Sequence, residues 1–174
     1  MQFSISNSIT LLERTPGVLK TLLLNLSDEW VHQNEGPQTF SPFDVLGHLI
    51  HGERTDWVVR AKIILTDGVK TPFTPYDRFA QYTESRGKTM NQLLDEFEQV
   101  RKENLQWLKS INLSVTNLER EGMHPALGKV TLQNLLAAWV AHDLTHIAQI
   151  TRVLAKQYKD EMGPWLPYFR ILND

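Results

Sequence analysis

Apolar residues recur at helical spacing in four long stretches of the chain, and polar caps mark where each begins. The first predicted helix lies near residues 15–30. Thr15 is its cap, Pro16 fits the first helical position, and Val18, Leu19, Leu22, Leu23 and Leu26 form its apolar face. Ahead of it, Ile5, Ile9, Leu11 and Leu12 suggest a preceding turn or short helix. The second, near 42–66, starts at Ser41-Pro42-Phe43-Asp44, a cap followed by proline and an acid in the first turn. The third, near 89–110, opens with the capping-box pattern Thr89-Met90-Asn91-Gln92. The fourth, near 131–158, holds neither proline nor glycine. Two stretches lack the helical period. Residues 67–88 make a long irregular connection, and within 112–130 the stretch 123–130 reads as a turn or short hairpin. The pattern predicts an all-α fold: one four-helix bundle spanning residues 1–174, with long inter-helix loops.

Composition narrows the setting. At 174 residues the chain is long enough for a continuous core. Its net charge of -2 argues against a nucleic-acid partner, which usually requires a basic face. With no cysteine there is no disulfide, thiolate site or cysteine nucleophile, so any metal ligands must be His, Asp or Glu. Such ligands suit Zn, Ni, Fe or Mn better than copper(I) or an iron–sulfur cluster. The opening residues do not read as a signal peptide, and no apolar run approaches the roughly 18–20 residues of a membrane span. The expectation is a soluble cytoplasmic protein.

The sharpest chemical signal is the pair His142 and His146 on the fourth helix. Residues four apart stand one turn above each other, within reach of one ion. At about 100° per residue the pair borders the buried face, beside Leu135, Trp139 and Val153. The second helix offers a third histidine, which would complete an open three-histidine site with coordination positions left for water or substrate. His48 and His51 lie on opposite flanks of its stripe, and periodicity does not choose between them. Two carboxylates face inward, Glu53 on the second helix and Asp143 on the fourth. Each is read first as half of a buried ion pair with Arg54, Arg101 or Arg152, and second as a group orienting a ligand histidine or acting as a base. Trp30, Trp57, Trp107 and Trp139 read as core or wall.

The segment from Val45 to Trp57, followed downstream by His142-Asp143-Leu144-Thr145-His146-Ile147-Ala148-Gln149-Ile150, resembles the DinB/YfiT-like superfamily. His124-Pro125-Ala126-Leu127-Gly128 and Gly163-Pro164-Trp165 extend the likeness over nearly the whole chain. The resemblance implies a four-helix bundle whose metal is held by His48, His142 and His146. It makes His51 a surface residue or a supporting neighbour of the site, and His124 a loop residue near the mouth. It also implies one divalent transition ion and a small-molecule substrate. Three functional readings follow: a metal-dependent hydrolase, transfer of a low-molecular-weight thiol cosubstrate of the bacillithiol or mycothiol type, or a non-catalytic metal-binding stress-response protein, as a homodimer. A bundle with a metal triad does not by itself fix the reaction.

Overall fold

The computed structural model describes residues 2–172. The bundle consists of α1 (Ile5–Leu23), the pair α3 (Pro42–Thr55) and α4 (Trp57–Thr66), α6 (Met90–Ser110) and α8 (Leu132–Lys156). Three short helices, α2 (Asp28–His32), α5 (Gln81–Glu84) and α7 (Val115–Leu118), lie in the connections. Strands β1 (Glu121–His124) and β2 (Gly128–Thr131) pair antiparallel, with Glu121 opposite Thr131 and His124 opposite Gly128. This is the hairpin expected around 123–130. Among the described residues no helix is long and apolar enough to cross a membrane.

The caps of α3, α6 and α8 form as the sequence predicts. Ser41 with Asp44, Thr89 with Gln92 and Thr131 with Asn134 each exchange reciprocal hydrogen bonds. Two expectations need correction. The first helix does not start at Thr15. It starts behind Ser4, whose Oγ accepts from the Asn7 amide, and it runs straight through Thr15 and Pro16. It also stops at Leu23, because Leu24 is extended and Asn25 takes a left-handed φ of 61°, which asparagine tolerates. Pro16 has no N–H for the Leu12 carbonyl one turn below. Arg101 on α6 fills that gap, its Nη1 donating to Leu12 O at 2.8 Å. The second correction is that residues 42–66 form two helices. Asp56 (φ -113°, ψ -81°) breaks the run, although its N–H still reaches Gly52 O and its carbonyl still accepts from Arg60.

The interior is two apolar clusters with a polar layer between them. One cluster gathers Leu19, Leu46, Leu49, Leu93, Phe97 and Ile150. The other gathers Leu12, Trp57, Ile64, Leu105, Leu136 and Trp139. Each bundle helix changes cluster at a polar residue: Thr15 on α1, Glu53 on α3, Arg101 on α6 and Asp143 on α8. Arg101 Nη2 donates to Glu53 Oε1 at 2.8 Å and to Asp143 Oδ1 at 3.0 Å, while Nη1 donates to Asp143 Oδ2 at 2.6 Å. Thr15 Oγ1 donates to Asp143 Oδ2 at 2.7 Å, and Trp139 Nε1 and Asn104 Nδ2 each donate to Glu53 at 2.9 Å. The ion-pair reading of both carboxylates therefore holds, with Arg101 as the shared partner. Arg54 pairs with Glu96 and Arg152 with Glu35.

Candidate metal centre

His48 on α3 and His142 and His146 on α8 come together beside the polar layer. His142 Nε2 lies 3.2 Å from His48 Nε2 and 3.1 Å from His146 Nε2. Ligand atoms of the three histidines all lie within 4.8 Å of one another. The opposite face of each ring explains the orientation. Gln149 Oε1 stands 2.8 Å from His146 Nδ1, and an amide oxygen only accepts, so Nδ1 carries the proton and Nε2 keeps its lone pair. The Tyr76 hydroxyl lies 3.2 Å from both His48 Nδ1 and His48 O. Donating its single proton to the carbonyl, it accepts from Nδ1–H and turns the His48 lone pair inward as well. His142 Nδ1 is buried with no hydrogen-bond partner among the described residues.

Electrostatics point the same way. Burial pushes His48 down to about 4, with the charges of His146, His51 and Arg78 adding to it. Burial, then His146, His48 and Arg101, push His142 down to about 3. His146 is lowered by burial against the opposing pull of Gln149 and Asp143. The three imidazoles are thus held neutral, and the outward protons of His48 and His146 leave two Nε2 lone pairs facing His142 Nε2, the form in which imidazole binds a metal. The residues present fit a divalent ion held by three nitrogens with positions left open.

The triad lines a cavity of about 820 Å³. Trp57 and Phe40 form apolar wall, and the Trp57 ring lies 5.1 Å edge-on to His142. His124 reaches the same cavity from the hairpin, its Nδ1 accepting from the Ala126 and Leu127 amides. His51 is not a surface residue. It is buried, and its Nδ1 pairs with Glu84 of α5 at 3.0 Å.

Sequence reasoning missed several lining residues. Gln149 was within reach, since it follows His146 by three positions and shares its face. Asp56, Tyr76 and Arg78 gave no periodic signal, because they come from the helix break and from the irregular connection after α4, and Arg60 is a polar residue within α4 itself. Asp56 and Arg60 pair at 2.7 Å across the break.

The sequence profile of the DinB superfamily matches residues 11–150, which include all three histidines. No curated protein matches the chain. Among solved structures, YfiT from Bacillus subtilis, described as a probable metal-dependent hydrolase with an unusual four-helix bundle topology, superposes with a TM-score of 0.73 at 24% identity. The match covers 90% of each chain. It shows that the two share a fold.

Proposed function

This chain belongs to the DinB superfamily, and from that premise we propose a metal-dependent, hydrolase-like enzyme that acts on a small molecule, its ion held by His48, His142 and His146. The observation that carries the reading is the convergence of three Nε2 atoms, with protons held outward at His48 and His146, on the wall of an open cavity. When bound, a divalent ion supplies Lewis acidity that activates water or polarises a carbonyl. The chain does the rest. Tyr76 and Gln149 hold the tautomers of His48 and His146, so that their lone pairs face the ion. Trp57 and Phe40 give a bound molecule apolar surface to displace water. A cavity of this volume suits a small molecule. YfiT's description as a probable metal-dependent hydrolase supports hydrolysis as the reaction class.

Elemental analysis of protein purified without chelators, beside His142→Ala and His146→Ala, tests the ligand set. Stoichiometric metal surviving in both variants overturns it. The reaction class is tested by screening esters, amides and electrophiles with and without low-molecular-weight thiols. Thiol-independent cleavage supports the hydrolase, and thiol-dependent turnover replaces it with the transferase. Turnover no greater than that of the His142→Ala control leaves a metal-binding protein without catalysis.

A further inference from the structure

The charged residues around the cavity are not all paired. Glu35 is held by Arg152 at 2.6 Å and by Lys156 at 2.8 Å, and Asp56 is held by Arg60 at 2.7 Å. Of the three lining arginines, Arg60 and Arg152 are paired with the two lining carboxylates, and Arg78 is the one without such a partner among the described residues.

Arg78 is exposed at the cavity and rests against the neighbouring Phe79. Its guanidinium carbon lies 5.0 Å from the centre of the Phe79 ring. Phe79 packs edge-on to Phe40, and Phe40 in turn lies 5.8 Å from His48, so a chain of rings links this cation to the triad. Among the described residues the Arg78 guanidinium is in no ion pair, while those of Arg60 and Arg152 are both paired.

We infer that the substrate carries a carboxylate, recognised by Arg78 while its reacting group faces the histidine triad. The inference rests on the reading of this cavity as the substrate site. A planar carboxylate matches the paired N–H donors of a guanidinium, which an ammonium group does not reproduce. The apolar walls then take the uncharged part of the molecule.

The test compares 4-phenylbutyrate with its uncharged amide by calorimetry, using zinc-loaded and chelator-treated protein so that ligation of the ion is separated from the arginine contact. Wild type is expected to prefer the acid in both states. Arg78→Gln is expected to lose about tenfold in affinity for the acid, as on deleting a charge-assisted hydrogen bond, with the amide unchanged. Arg78→Lys should fall between them. Equal binding of acid and amide by wild type, no binding of the acid in the millimolar range, or full preference retained by Arg78→Gln each overturns the inference. The metal assignment fails separately, through metal content. If it fails, the preference for the acid still persists in chelator-treated protein.

Discussion

Arg101→Met removes the cation at the centre of the polar layer while keeping an unbranched apolar stem. Arg101 is 1% exposed, Glu53 2% and Asp143 2%, so neither carboxylate can turn to water when the guanidinium goes. Glu53 keeps Trp139 and Asn104 as donors, and Asp143 keeps Thr15. Leu12 O loses its Nη1 donor, and Pro16 has no N–H to replace it. Breaking a buried ion pair from one side costs about 3–5 kcal/mol, and a stranded carbonyl adds about 1–3 kcal/mol. These costs do not simply add, so about 4–6 kcal/mol is expected against a total stability of roughly 5–15 kcal/mol.

At about 2–4 °C per kcal/mol for a domain of this size, melting should fall by about 10–20 °C. Urea unfolding of the wild type and Arg101→Met, followed by circular dichroism, measures the loss. Adding Glu53→Gln and Asp143→Asn to the same chain should recover a large part of it, since the penalty lies in the uncompensated charges rather than in the missing contacts. A single variant within about 1 kcal/mol of wild type, or a triple variant no better than the single, would refute this account of the layer.

Three further outcomes are expected. His48→Ala should lose its metal yet stay helical and unfold cooperatively, because the apolar clusters do not depend on the ion; an unfolded variant at room temperature would make the site structural. Hydrogen bonding to Arg152, working against burial and helped by Lys156, holds Glu35 down to about 2 from an ordinary 4.5. A lowered folded pKa gives stability that is complete above the unfolded value and lost as pH falls through the folded one. Glu35→Gln should therefore melt below wild type at neutral pH, with the gap closing between about pH 4.5 and 2; a gap independent of pH would contradict this. Gly47→Ala puts a Cβ against Ser85 Oγ and Gln81 Cβ, and should cost about 1–3 kcal/mol by levering α5 off α3 in a denaturation assay.

What the sequence made legible follows from which forces are local. Capping boxes depend on residues three apart, so the starts of α6 and α8 were readable, as was the Ser41 cap of α3. The start of α1 was misread because Thr15 and Pro16 form a strong local start signal that tertiary contacts override. Thr15 is needed by Asp143, and the carbonyl that Pro16 frees is needed by Arg101. The break at Asp56 left no mark, since Asp and Trp carry no local breaking signal of the kind glycine or proline gives. At the site, the HxxxH spacing placed two histidines on one face. Choosing His48 over His51 took the family resemblance, because both flank the same stripe and only the contact with Glu84 turns His51 away. Arg78, Tyr76 and Asp56 were invisible for the same reason as the break: non-periodic backbone brings them to the cavity.

The polar layer and the triad are geometrically one device. Asp143 follows His142 directly, and at about 100° per residue its inward aim leaves His142 and His146 together on one neighbouring flank of α8. The two-oxygen grip of Arg101 on Asp143 fixes the rotation of α8 about its axis. The bond from the same guanidinium to Glu53 ties α3, which carries His48, to the same centre. Apolar packing tolerates small slips, whereas a bidentate bond between buried groups does not. Convergence of the Nε2 atoms should therefore depend on Arg101 although it touches none of the three histidines. Competition with a chromophoric chelator, run well below the melting temperature of Arg101→Met, should find weaker metal binding, in the range of 10–100-fold typical when groups that orient ligands are lost. Wild-type affinity in a folded Arg101→Met chain would mean that packing alone sets the triad, and that the layer serves stability only.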